Sequence, residues 1–125
     1  MKPEFTKPII VEKSWGRELW IRNTPDYCGK ILEFDKNKNF SMHYHLKKDE
    51  TWFVLNGSFI MEYFDLEKAI RKQKEIKEGD VVCLCPGVLH KLTAIEDSRI
   101  MEVSTQHFDT DSYRVEPSYL VKMSE

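Results

Sequence analysis

Charge of one sign, long apolar stretches and paired cysteines are missing from this chain, and each absence removes a class of function. Lysine and arginine number 19 against 21 aspartates and glutamates, a formal net charge of −2. The chain therefore lacks the basic excess that phosphate backbones require, which argues against nucleic acid as a main partner. No apolar run approaches the roughly 20 residues of a membrane-spanning helix. The opening MKPEFTKPII has no apolar core of a signal peptide, so a cytoplasmic protein without a membrane partner is expected. Cys28, Cys83 and Cys85 are odd in number and lack zinc-ribbon spacing, and strand neighbours two apart rarely form an unstrained disulfide. They read as reduced thiols packed in the interior. At 125 residues the chain is expected to be one domain with one core, with an N-terminal arm over 1–14 and a polar tail over 106–125.

What is present is a series of short strands separated by turn residues. Ile9-Ile10-Val11 ends the arm as an edge strand, and Trp15-Gly16-Arg17 breaks it. Strands are expected at 18–22, 27–34, 40–45, 52–55, 58–64, 81–85, 90–95 and 99–105, with a weak extended segment at 119–121. Asn56-Gly57 between two β-rich runs predicts a two-residue hairpin, which would pair Leu55 with Ser58, Trp52 with Met61 and Glu50 with Tyr63. In that register Glu50, Trp52, Val54, Phe59, Met61 and Tyr63 share one inward face. The polar stretch DLEKAIRKQKEIK, 65–77, suits one turn of helix or a solvated excursion between strands. The pattern is all-β with little helix, an antiparallel sandwich or barrel.

The chemistry concentrates in HYHLKKDETWFVLNG, residues 43–57. Residues two apart on a strand face the same side about 7 Å apart, so His43 and His45 can converge on one metal ion. Glu50 adds an oxygen donor from the start of the next strand. A second stretch, GDVVCLCPGVLH at 79–90, ends in His90 after a Pro-Gly turn and supplies a fourth ligand. His107, in the polar tail, reads as solvent-exposed. Lys47-Lys48-Asp49 reads as a solvated turn, and Trp20 and Trp52 as wall residues.

These two stretches resemble the paired signatures of the cupins, G-x5-HxH-x3,4-E-x6-G and G-x5-PxG-x2-H-x3-N. Four residues separate His45 from Glu50, six separate Glu50 from Gly57, and Gly79, Gly87 and His90 keep the second spacing. Asn37 stands at the first glycine, Cys85 at the proline and Ala94 at the final asparagine. The resemblance implies a double-stranded β-helix, or jelly-roll barrel, and the metal ligands His43, His45, Glu50 and His90. WGREL at 15–19, KDETWFVLNG at 48–57 and EVSTQHFDTDSYR at 102–114 are similar to D-lyxose isomerase and to the C-terminal domain of type II mannose-6-phosphate isomerases. The ligand spacing is closer to the former.

Three imidazoles and a carboxylate suit Mn, Fe(II), Co, Ni or Zn and, in an octahedron, leave two adjacent open positions. A substrate chelating through neighbouring oxygens fits them, and a cation there would acidify the C–H of a hydroxy carbonyl compound. The reaction implied is aldose–ketose isomerisation of a sugar or sugar phosphate. An Fe(II) dioxygenase, a lyase and a non-catalytic metabolite binder are the alternatives, because one fold hosts many activities. Tyr63, Glu102 and Lys30 are the candidates for proton transfer. The apolar arm suits exchange with a second copy, so a homodimer is expected.

Overall fold

The computed structural model describes residues 1–115, and the extended segment expected at 119–121 lies outside them. Among the described residues the chain forms β1 (Ile9–Lys13), β2 (Gly16–Asn23), β3 (Cys28–Phe34), β4 (His43–Tyr44), β5 (Glu50–Asn56) and β6 (Ser58–Asp65). β7 (Ile70–Lys77), β8 (Val81–Leu84), β9 (His90–Ala94), β10 (Ser98–Ser104) and β11 (Tyr113–Arg114) follow, with one 3-10 turn at Asp109–Asp111. They make two antiparallel sheets, ordered β1-β2-β3-β10-β5-β8 and β11-β4-β9-β6-β7. This is the all-β sandwich that the turn-and-strand spacing implied.

Period-two alternation sets what each strand turns inward. β3 buries Cys28, Lys30, Leu32 and Phe34; β10 buries Ser98, Ile100 and Glu102; β5 buries Glu50, Trp52 and Val54. The register stacks these in layers, Leu32–Ile100–Val54 and then Lys30–Glu102–Trp52. The interior is therefore graded along the strands. At one end Trp15 stacks on Phe34 at 4.2 Å and Phe34 meets Phe59 edge-on at 5.0 Å, with Ile76, Leu92 and Ala94 closing the core. At the other end the inward positions carry charge, and the site lies there.

Four expectations are corrected. Asn56-Gly57 is not a hairpin: β5 pairs with β10 and β8, whereas β6 pairs with β7 and β9. The dipeptide is a corner carrying the chain from one sheet to the other, with Gly57 at φ 85°. The inward face was read correctly, because alternation survives the corner, but Tyr63 lies opposite His90 rather than Glu50. The polar stretch 65–77 is strand: Asp65 lies opposite Ile70, and Asp65 Oδ1 accepts from the backbone N–H of Glu67 and Lys68 in the turn. β7 is a sheet edge that buries little besides Ile76, so its alternation is masked by the charges that protect such an edge. The histidine strand shrinks to His43–Tyr44, joined to β11, which the sequence had not revealed. Cys28 is buried as expected, but Cys83 and Cys85 are exposed, and all three are free thiols.

A Cβ on Gly57 would lie 1.9 Å from Ser98 Oγ, the hydroxyl that accepts from Ser58 N–H at 3.0 Å. Positive φ and this close approach together predict that Gly57→Ala destabilises by at least about 2 kcal/mol. Urea unfolding measures it, as a fall in midpoint at unchanged slope.

Candidate metal centre

His43 and His90 face each other across the β4–β9 pair, and His45 follows where β4 ends. The donor atoms of these three imidazoles all lie within 4.8 Å of one another. Each ring is held from behind by a backbone carbonyl: His43 Nδ1 by Ser41 at 2.8 Å, His45 Nδ1 by Asp111 at 2.7 Å and His90 Nδ1 by Val88 at 2.8 Å. A carbonyl only accepts, so each Nδ1 carries the proton and each Nε2 keeps its lone pair. Glu50 brings Oε2 to 3.4 Å from His45 Nε2, while its Oε1 accepts from Trp52 Nε1 at 2.7 Å. The three histidines are thus gathered as a set able to bind a metal ion, with a carboxylate beside them.

Electrostatics keep the imidazoles neutral. Burial pushes His90 down to about 3, helped by His43, and His43 down to about 4, against the bond to Ser41. His45 is lowered chiefly by burial as well. Burial, then the neighbouring Glu102, pushes the Glu50 carboxyl up to about 8. A divalent cation at this point would reverse that preference, since it favours the carboxylate.

The loop after His45 is fixed by Asp111. Its carboxylate accepts from the backbone N–H of Leu46 at 3.0 Å, of Lys47 at 3.1 Å and of Lys48 at 3.0 Å, while its carbonyl holds His45. That clamp turns Lys48 inward, where it is 4% exposed and reaches Glu102 at 3.0 Å. Sequence reading missed both residues: Lys48 looked like solvated turn, and nothing near Asp111 in the chain shows that it returns to residues 46–48.

A cavity of about 900 Å³ opens on this centre, lined by His43, His45, Glu50 and His90 and also by Lys30, Glu102, Lys48, Glu18, Trp20 and His107. Lys30 is 1% exposed and pairs with Glu18 at 3.1 Å, with its ammonium 4.4 Å from the centre of the Trp20 ring. Burial alone would raise Glu102, but Lys48 and Lys30 hold it below the usual carboxylate range. Lys48, which burial would lower, is raised by Glu102 and Glu50. Of the three proton-transfer candidates, Lys30 and Glu102 line this cavity. Tyr63 instead lines a separate cavity of about 430 Å³ with Met61, Ile76, Val82 and Val88. It shares the inward face with His90 but lies on the far side of β9 from β4.

A family model described as Cupin matches residues 29–123. The chain belongs to the cupin family. Asn37 adopts φ 66°, so the position where the signature has glycine keeps the left-handed turn. Among solved structures, the capsular polysaccharide assembling protein CapF from Staphylococcus aureus shares the fold at TM-score 0.74 and 16% identity, over 90% of this chain and 34% of that one. A variant of Bacillus subtilis oxalate decarboxylase does so at TM-score 0.75 and 15% identity, over 94% and 34%. KdgF from Halomonas sp. matches at TM-score 0.66 and 20% identity, over 86% of this chain and 98% of its own. The chain thus spans about a third of the first two and nearly all of the third. No curated protein matches by sequence. No helix among the described residues is long and apolar enough to cross a membrane.

With chelator present, the depressed histidines dictate the stability profile. Above pH 6.5 both folded and unfolded imidazoles are neutral; below it the unfolded chain takes up protons that folded His43 and His90 refuse until about 4 and 3. Glu50 acts in the opposite sense: its contribution is present below the unfolded value of 4.5 and is lost as pH rises toward about 8. With His45 also lowered, the histidines outnumber it. The thermal midpoint of the metal-free protein is expected to fall steadily from pH 6.5 to 4, and a midpoint that rises over this range refutes the protonation states assigned here.

Proposed function

We propose that this protein is a metal-dependent isomerase interconverting aldose and ketose forms of a sugar or sugar phosphate. One observation carries the reading: the convergent imidazoles and the buried Lys48–Glu102 pair line the same cavity. His43, His45, His90 and Glu50 hold one divalent transition ion, Mn, Fe, Co, Ni or Zn. When bound, such an ion supplies the positive charge that polarises a carbonyl and its neighbouring hydroxyl.

The chain's own residues then move the proton. Glu102, held below the usual carboxylate range against burial by Lys48 and Lys30, is ionised at neutral pH; it takes the proton from the carbon bearing the hydroxyl and returns it to the former carbonyl carbon, while the hydroxyl proton passes to the former carbonyl oxygen. Lys48, on Glu102 Oε2 at 3.0 Å, keeps the local charge balanced as the carboxylate is neutralised. Ser104 Oγ, 3.4 Å from the same oxygen, helps fix its position, and the Lys30 charge, opposite Glu102 in the β3–β10 register, favours its ionised form. Trp52, on the other side of Glu102 in register, holds Glu50 in its orientation through its indole N–H.

The test is metal analysis of the purified protein, then a panel of sugars and sugar phosphates assayed without oxygen with each of the five metals. Isomerisation that persists anaerobically supports the reading; turnover only with oxygen points to a dioxygenase, cleavage products to a lyase, and binding without turnover to a carrier. His90→Ala is expected to lose metal and activity together. Glu102→Gln is expected to keep the metal while turnover falls about 100-fold or more. Tyr63→Phe, outside the cavity, is expected to leave turnover within about twofold.

A homodimer is proposed through the outer face of the larger sheet. Ile10, Leu19, Ile31, Met101, Phe53 and Val81 lie in one cross-strand row over all six of its strands, and Val81 and Val103 are 60% and 50% exposed. Such a continuous apolar stripe is unusual on a monomer's surface and suits a self-complementary contact. Met101→Asp is expected to give monomers by light scattering, and a wild-type chain that is monomeric refutes the dimer.

A further inference from the structure

The short strand β11 closes the smaller sheet beside β4, and its register is pinned from both sides. Tyr113 stacks on Tyr44 with ring centres 5.2 Å apart, and the backbone N–H of Val115 donates to the Met42 carbonyl at 2.9 Å. Between them Arg114 stands opposite His43, which in turn stands opposite His90. Residues directly opposite on paired strands project from the same face of a sheet. Arg114, His43 and His90 therefore form one cross-strand row, with Arg114 at the open edge of the sheet. The residue is exposed and lines the cavity of about 900 Å³.

Four cations and five carboxylates line that cavity. Lys30 and Lys48 are taken up by Glu18 and Glu102. Asp109 is taken up by His107, whose Nε2 lies 2.9 Å from its Oδ1 and whose backbone Asn23 holds at both N–H and carbonyl. Among the described residues the side chains of Arg114 and Lys13 have no ion-pair or hydrogen-bond partner. A divalent ion among the histidines would turn the excess of one carboxylate in this lining into an excess of positive charge. The Arg114 guanidinium opposes such an ion: behind burial, His45 and Lys48, its charge adds to what keeps the His43 imidazole neutral. A cation beside a cluster that gathers a second cation is unfavourable unless an anion lies between them. The planar fork of a guanidinium meets the oxygens of a phosphate two at a time.

We propose that Arg114 receives the phosphate of a sugar phosphate at the mouth of the cavity, while the carbonyl end of the sugar reaches the histidine cluster. The substrate class rests on the isomerase reading above and narrows it, from sugars and sugar phosphates to the latter. Lys13, which also lines the cavity, adds a second positive charge for the dianion. Arg114 is thus a specificity-determining residue, because a neutral sugar leaves its fork without an anion. It takes no part in proton transfer, so its removal acts on binding.

The experiment uses the full chain loaded with zinc, titrated by calorimetry at neutral pH with mannose, glucose and fructose, with their 6-phosphates, and with glucuronate. At least one 6-phosphate is expected to bind about tenfold more tightly than its parent hexose, and the difference to shrink as salt is raised. Arg114→Gln removes that difference, while zinc content, thermal midpoint and affinity for the parent hexose stay level. Arg114→Lys, which keeps the charge but loses the fork, retains part of it. Equal binding of ester and hexose, or no binding of either, overturns the subsite. A preference that survives Arg114→Gln belongs to the metal and overturns it as well. A preference for glucuronate alone makes the anion a carboxylate and overturns the phosphate. An ester preference abolished by Arg114→Gln without isomerisation removes the isomerase reading and leaves the subsite standing; isomerisation of the hexoses without an ester preference does the reverse.

Discussion

Lys30, Lys48, Glu18 and Glu102 are taken out of water at one end of the sandwich, and the arrangement there depends on keeping them neutral as pairs. An unpaired buried charge is far more costly than a buried pair. Lys30 with Glu18 at 3.1 Å and Lys48 with Glu102 at 3.0 Å meet that requirement across four different segments, β2, β3, β10 and the loop before β5. The two pairs bring those segments to fixed positions around a cavity that an apolar core of this size would otherwise fill.

The cluster of histidines able to bind a metal adds a second constraint of the same kind. Three imidazoles can converge without mutual repulsion only when neutral, and burial makes them so. Their tautomers are then set by backbone carbonyls rather than by side chains, so the ring orientations are properties of the fold itself. Asp111 links this set to the ion pairs. One residue holds His45 through its carbonyl and turns Lys48 inward through its carboxylate, which couples the gathered histidines to the proposed proton-transfer pair.

Much of this was legible in the chain. The strands with two-residue alternation, β3, β5 and β10, stood where the pattern put them, and His43, His45, Glu50 and His90 were recognisable from their spacing. The inward direction of Lys30 and Glu102 was not, because a charged residue on an alternating strand fits either face until its partner is known. Lys48 and His107 looked solvated for the same reason. Their partners, Glu102 and the Asn23–Asp109 bracket, lie far away in sequence or in a segment without a periodic signal.

The chain by itself determined the all-β class and the inward faces of the long strands, and pointed to the three histidines that converge, because side-chain alternation and residue spacing are local properties. Only the tertiary structure decided which strands pair. The Asn56-Gly57 turn that locally favours a hairpin carries the chain instead between two sheets, where β5 finds β10 and β8 and β6 finds β9 and β7. Long-range pairing buries both inner faces at once, and that outweighs the preference of a two-residue turn. The same change moved Tyr63 beside His90 and out of the cavity, and placed Glu102, Lys48 and His107 around it.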